Sequence, residues 1–388
     1  PLYYKKNDDS FFFGSEIKFL KSLEQKNLDI NYQTLKRYLV YGYRSIYKIR
    51  ETYFKNILQL ESGHSMQIDT KFQHNKNKYW TPNVQKIESS FEEIVKTSKD
   101  LLLKSLEIRL RSDVPIAFNL SGGIDSSTLA ILAKKIFNFK LNTYSIIDED
   151  PRYNEEKNIT KVVNQIGSNH TNINLKKNFS FYKLEELINY HDQPICTINY
   201  FAHSLLQEQI SNDGFKISIS GTGADEIFTG YYDHHLLYLY ELQNHPNINI
   251  YEENWRKHVS HLVNNPILKN PYLFKTHGET FRDHIFEDDK FRLLLNDKKF
   301  EEDIFDNLYS NTSLLKNRMA NELFDEVIPI ILENEDLNAM FYSVENRSPF
   351  LDTKLVEYMQ SIPDEYYIQD GYTKSILREI TKDILNDD

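Results

Sequence analysis

The run Val114-Pro115-Ile116-Ala117-Phe118-Asn119-Leu120 is short and largely apolar, and Ser121-Gly122-Gly123 follows it at once. Ser126 to Phe137 (SSTLAILAKKIF) then shows helical spacing. Strand, glycine turn and helix in that order constrain the chain to a βα unit. Such a turn aims free backbone N–H groups at an anion. Two adjacent glycines permit a tight turn and close approach of a phosphate to the backbone. Ser126 and Ser127 are candidates to cap the helix and to donate hydroxyls to phosphate oxygens. Asp125 has no anion to bind itself, so beside a phosphate it is suited to hold a metal ion. The loop lacks the Gly-Lys-Ser/Thr ending of a Walker A loop, which makes it a different kind of nucleotide site. An ordinary left-handed turn also accounts for Ser-Gly-Gly, and the loop alone leaves both readings open.

The alternation continues on either side. Phe91 to Arg111 is spaced as an amphipathic helix feeding this first strand. Leu141 to Ile147 and Asn169 to Leu175 read as strands, with Glu155 to Gly167 helical between them. Leu184 to Tyr190 and Phe201 to Ile210 read as helices, and Gly214 to Ser220 as a further strand ending in a second glycine loop. This order predicts an α/β fold, a doubly wound parallel sheet with added helices. Ligands of such sheets sit at the carboxyl ends of the strands, where both glycine loops fall. From Asp233 onward the chain reads mostly helical, and Asn244 to Asn311 gives no functional signal.

Ahead of this lies a different pattern. Leu2-Tyr3-Tyr4 and Phe11-Phe12-Phe13 read as paired strands around Asn7-Asp8-Asp9, Asn31 to Tyr41 as a helix and Gly63 to Ile68 as a strand. Asn75-Lys76-Asn77-Lys78 reads as a polar linker, dividing the chain into residues 1–75 and 76–388. A length of 388 residues suits two or three domains of about 100–200 residues.

The formal net charge of −11 argues against nucleic acid or an anionic membrane as partner, while leaving room for a local basic pocket. No apolar run approaches the roughly 18 residues of a membrane-spanning helix. Cys196 is the only cysteine, so there is no disulfide framework or thiolate cluster, and a cytoplasmic setting is expected. Cys196 itself reads as a small packed residue, and His234-His235 lack a third ligand at zinc spacing.

The second glycine loop is Ser220-Gly221-Thr222-Gly223-Ala224-Asp225-Glu226. Asp125 and Asp225, from separate strand ends, can share a Mg²⁺ that neutralises a departing pyrophosphate; acidic residues favouring a helix start are the plainer reading. Glu345-Asn346-Arg347-Ser348-Pro349-Phe350-Leu351-Asp352 combines charge with Phe350 and Leu351, which prefer burial. An ion pair of Arg347 with Glu345 or Asp352 is the structural alternative there. Lys374 opens a helix against its dipole and therefore needs an anionic partner, met by a phosphate or by a nearby carboxylate.

Ser-Gly-Gly-Ile-Asp-Ser-Ser resembles the PP-loop of ATP pyrophosphatases, which split ATP between the α and β phosphates. With the second loop, Pro349-Phe350-Leu351-Asp352 and Lys374, nearly the whole chain resembles the glutamine-hydrolysing asparagine synthetase family. Pro1 to Tyr4, Phe13 to Lys18 and Leu60 to His64 resemble the latter part of that family's α+β N-terminal-nucleophile glutaminase domain.

The resemblance implies attack of a substrate carboxylate on ATP, giving an acyl-adenylate and Mg-pyrophosphate, then attack by ammonia. It implies that Leu120, Ser121, Gly122, Gly123, Asp125, Ser126, Ser127, Ser145, Ile146, Ser220 and Gly221 bind ATP and pyrophosphate. It makes Asp125 and Asp225 the Mg²⁺ ligands, and Lys374, Thr222 and Glu345 the catalytic candidates. The partners implied are a small carboxylic acid, ATP, and ammonia or glutamine, with a homodimer as an option.

Three departures qualify it. The family's glutaminase cysteine lies upstream of where this chain opens, and Cys196 falls in the other half; a fragment of a longer protein is expected. Thr222 stands between the glycines where asparagine-forming enzymes usually carry Glu or Asp, and a hydroxyl is a poor base. His191-Asp192-Gln193-Pro194 likewise replaces the usual Asp-Glu-Pro. Aspartate is the first expected acid, a uronic acid of a surface polysaccharide the second, and a non-catalytic ATP-binding scaffold the remaining alternative.

Overall fold

The computed structural model describes residues 1–24, 27–282, 307–309 and 313–385. Much of the Asn244–Asn311 stretch therefore lies outside the described residues.

The N-terminal region begins with strands β1 (Tyr3–Lys6) and β2 (Phe11–Gly14), antiparallel from Tyr3↔Gly14 to Lys6↔Phe11 as the turn residues require. Strand β3 (Leu58–Gln59) adds to the other edge of β1. Ile17 and Leu20 of the Ile17–Glu24 helix pack with Tyr3 and Ile57 into a small core. Asn31 caps the Tyr32–Tyr41 helix through its side chain.

Strands β4 (His64–Ile68) and β5 (His74–Lys78) form an antiparallel hairpin. The expected linker at Asn75–Lys78 is thus a strand, and a boundary at residue 75 would cut the hairpin. Every residue of β5 is exposed, so no apolar alternation marks it. The stretch free of helix and strand is 79–90.

The larger region is built on strands β6 (Ile116–Asn119), β7 (Asn142–Ile147), β8 (Asn169–Asn174), β9 (Ile217–Ile219) and β10 (Glu345–Arg347). They form one parallel sheet in the order β10-β9-β6-β7-β8. Alternating side chains bury opposite faces. Ile116 and Phe118 pack with the Phe91–Arg109 and Ile124–Lys135 helices, while Ala117 and Tyr144 pack with the Ile198–Asn212 helix. Burying a side chain such as Phe118 contributes about 1.5–3 kcal/mol. Helices on both faces make the sheet doubly wound, as expected.

From β6 the chain winds outward through β7 and β8, then returns to the opposite side at β9. The strand order reverses between β6 and β9, which opens a crevice above their carboxyl ends. Strand β10 was not foreseen, because three polar residues at a sheet edge carry no periodic signal.

The two regions are tied by buried charge. Arg44 and Lys48 of the N-terminal region reach Glu322 and Glu326 at 3.4 and 3.0 Å. Those two carboxylates also bind the fully buried Arg318 guanidinium. Asp233, His234 and Glu322 gather here, with Arg318 as the cation among them.

Candidate active site

The loop after β6 is held from below. The Leu120 amide donates to the Tyr144 carbonyl at 2.9 Å, and the Ser145 hydroxyl donates to the Leu120 carbonyl. Gly122 has φ +79°, and a Cβ there would lie 2.9 Å from the Ile159 amide nitrogen, so only glycine fits.

Ser126 does not cap the helix: the cap is Gly123, without a side-chain bond. The Ser126 hydroxyl accepts from the Ser121 amide at 3.0 Å, and Ser121 Oγ accepts from the Gly123 amide at 3.2 Å. Ser126 therefore closes the loop on itself. Ser127 Oγ and Asn119 Oδ1 are buried with no hydrogen-bond partner among the described residues.

The second loop, after β9, touches the first. A Cβ on Gly221 would meet the Ser126 amide nitrogen at 3.0 Å and Asp125 Cβ at 3.2 Å. Gly223, at φ +95°, lies against Leu351, where a Cβ would fall 2.4 Å from Cδ2. Here Pro349-Phe350-Leu351 has its purpose: it is the packed floor of the second loop, with Phe350 fully buried. Asp352 caps the Thr353–Ser361 helix and pairs with Arg109 at 3.3 Å.

Lys374 sits where the loops meet. Its Nζ lies 2.8 and 2.7 Å from the two oxygens of Asp125 and 2.6 Å from Asp225 Oδ1. The lysine at the helix start thus has two anionic partners, both aspartates. Its backbone adopts the left-handed region at φ +57°, and its amide donates to the Phe228 carbonyl at 3.1 Å. Strain of this kind at a non-glycine residue persists where the surroundings fix it. Gly230 leaves the necessary room, since a Cβ there would lie 1.5 Å from Asp225 Oδ1 and 2.6 Å from Lys374 Cε.

The electrostatics follow from the burial. Burial opposes the Lys374 charge, but Asp225 and Asp125 outweigh it and hold the ammonium above the ordinary lysine range. Burial pushes Asp125 up to about 6, with Lys374 pulling down and Asp225 pushing up. Burial and then Asp225 raise the neighbouring Glu226 to about 8, and the Tyr231 hydroxyl donates to it at 2.6 Å.

Asp125, Asp225, Glu226 and Tyr231 border a cleft of about 830 Å³ above the carboxyl ends of β6, β7 and β9, with Lys374 behind the two aspartates, a size suited to a small-molecule site. Of the expected residues, Leu120, Ser121, Asp125, Ser126, Ser145, Ile146, Ser220, Gly221, Thr222 and Asp225 line it. Gly122 and Ser127 face a second cleft beyond the loop, beside Arg378.

Glu345 does not join them. It lies at the amino end of β10, away from the glycine loops, and binds Arg347 at 2.8 Å. Arg347 also donates to the carbonyls of Arg109 and Arg111. The structural ion pair is the correct reading of Glu345.

Glu335, on the Ile328–Phe341 helix, went unremarked in the sequence and lines the cleft. The Thr222 hydroxyl lies 2.9 Å from both its carboxylate oxygens, and Asn346 Nδ2 donates to Oε2 at 2.9 Å. Ser220 Oγ in turn donates to Thr222 at 3.1 Å. A faint sequence signal exists: Ile331 and Glu335, one helical turn apart, both face the cleft.

Residues 97–388 match the asparagine synthase family, and residues 1–80 match the glutamine amidotransferase domain. The chain belongs to the asparagine synthase family. The glutamine-hydrolysing asparagine synthetase 3 of Bacillus subtilis (strain 168) is 27% identical over 407 residues, covering 100% of this chain and 61% of that protein. Asparagine synthetase 1 of the same organism is 25% identical over 403 residues, covering 99% of this chain and 61% of that protein. A putative asparagine synthetase of Methanocaldococcus jannaschii is 31% identical over 244 residues, covering 60% of this chain and 45% of its own length. The chain spans about three fifths of the length of the two Bacillus relatives. Among the described residues no helix is long and apolar enough to cross a membrane.

The site also has oxygen donors of the kind Mg²⁺ takes. Asp125 and Asp225 bring hard carboxylate oxygens to one point, where Lys374 Nζ meets both. Such a donor set fits Mg²⁺.

Proposed function

We propose that this chain activates a carboxylic acid with ATP, releasing pyrophosphate, and passes the acyl group to ammonia to form an amide and AMP. The observation that carries the reading is Lys374 held between Asp125 and Asp225 at the meeting of two glycine loops. Substrate carboxylate attacks the α-phosphorus, and the bond to the β-phosphate breaks. Lys374 faces the negative charge that builds on the phosphoryl oxygens, an electrostatic role favoured by its burial. The backbone N–H groups of the loop after β6 receive the pyrophosphate. Mg²⁺, held by Asp125 and Asp225, would supply neutralisation of the pyrophosphate. Glutamine, processed by the glutaminase half of the whole protein, is the proposed ammonia source.

L-Aspartate is the acid proposed first, because relatives named asparagine synthetase align with almost the whole chain. A uronic acid sugar is the second reading. Asp125, Asp148, Glu155, Asp225, Glu226 and Glu335 line the cleft, and no Lys or Arg does among the described residues. A sugar acid spends its single carboxylate in the reaction, whereas aspartate brings a second one that needs a cation. The experiment is incubation with Mg-ATP, ammonium and a panel of acids, following pyrophosphate. Release with aspartate supports asparagine formation, release only with a uronic acid supports the sugar reading, and release with no acid in the panel contradicts both.

A further inference from the structure

We propose that Glu335 is the catalytic base that takes the proton from ammonia as the amide forms, with Thr222 as its positioning residue. The proposal rests on the acyl-adenylate reading above and adds a residue to it. The second glycine loop has a hydroxyl at Thr222, which already carries its own proton at neutral pH and cannot take up another. The structure puts a carboxylate directly behind that hydroxyl, brought in from a helix 113 positions further along the chain. Thr222 spans both oxygens of Glu335 at 2.9 Å, and Asn346 fixes Oε2 from β10. Three separate elements thus aim one carboxylate into the cleft.

The surroundings suit a base. Thr222, Asn346 and the Tyr200 phenol of the Ile198–Asn212 helix face Glu335, none of them charged near neutral pH, while Asp225, Glu226 and His203 line the same cleft. Burial pushes the Glu335 carboxyl up to about 7, against the two hydrogen bonds that lower it. A base near the working pH combines availability with proton affinity.

The step balances. The ammonia lone pair forms a C–N bond to the acyl carbon, and the carbonyl π pair moves to oxygen. The adduct nitrogen gives one proton to Glu335. The carbonyl then re-forms as the bond from carbon to the phosphate oxygen breaks, and AMP leaves with that electron pair. Glu335 returns its proton to water.

The test separates the two half-reactions in the full protein. Acid-dependent exchange of labelled pyrophosphate into ATP reads adenylation, and ammonium-dependent amide reads the second step. In the Glu335→Gln variant, exchange should stay within about threefold of wild type, while amide formation falls about a hundredfold or more. Wild-type amide formation, referred to free ammonia, should show an acidic limb titrating near neutrality that the variant lacks. Equal loss of exchange and amide, or an unchanged amide rate with an unchanged pH profile, overturns the assignment. Absence of exchange in the wild type with every acid overturns the acyl-adenylate reading itself, and this proposal with it.

Discussion

The Lys374 ammonium lies 2.8 and 2.7 Å from the two carboxylate oxygens of Asp125, a residue 249 positions earlier in the chain. The loop after β6 is thereby fastened to the last helix the structure describes, and Asp225 joins the same ammonium from the loop after β9. Three remote segments converge on one cation. Any ligand that competes for either aspartate changes all three.

Gly230 contributes no functional group, yet the site depends on its missing side chain. Gly230→Ala would drive a Cβ onto Asp225 Oδ1 and Lys374 Cε. Pyrophosphate release should fall at least a hundredfold while far-ultraviolet circular dichroism stays that of wild type. Near-wild-type turnover would show that Asp225 and Lys374 need not keep this arrangement.

Asp125 is a group whose folded-state pKa is raised, to about 6. Its neutral form is the one the fold prefers. Its contribution to stability is full below pH about 4, the unfolded value, and is lost as pH rises through about 6. Asp125→Asn should therefore melt no lower than wild type at pH 8 while losing pyrophosphate release, a trade of stability for function. Melting scans check this; a drop of many degrees at pH 8 would mean the ion pair stabilises the fold.

The buried Arg318 cluster anchors the N-terminal region to the larger region. Removing one partner of a buried pair strands the others, and Arg318→Met should cost about 3–5 kcal/mol, read from the urea midpoint. Burial opposes ionisation of Glu326, but Arg318 and then Lys48 hold it down at about 2. That stabilisation is present above the unfolded glutamate value and is lost as pH falls toward 2.

Burial pushes the Cys196 thiol up to about 12, with Glu333 adding to the rise, and Asn334 Nδ2 lies 3.2 Å from the sulfur. The thiolate is the reactive form. Native protein at pH 8 should resist alkylation by iodoacetamide, and Cys196→Ala should retain full amide formation. Rapid labelling with loss of activity would assign the thiol a role the geometry denies it.

What the sequence made legible follows from what burial demands. Strand β6 is covered on both faces, so Val114 to Leu120 is largely apolar and stands out. The glycine loops stand out because Gly122 and Gly223 need a left-handed backbone and leave no space for a side chain. Exposed strands leave no such trace: β5 and β10 are polar and read as linker and loop. Lys374 announced its need for an anion, but which anion depended on folding. Glu335 was harder still, since its link to Thr222 exists only once a distant helix closes over the second loop. Glu345 misled for the opposite reason: its neighbours in sequence, Pro349 to Leu351, do reach the site, while its own side chain points to Arg347.

The most direct test of the central claim is phosphorus NMR of the products formed from Mg-ATP, ammonium and the acid that supports turnover. AMP and pyrophosphate in equal amounts are expected from the wild type, with neither from Lys374→Ala. ADP and inorganic phosphate, or undiminished AMP from the Lys374 variant, would contradict the assignment of Lys374, Asp125 and Asp225 to cleavage between the α and β phosphates.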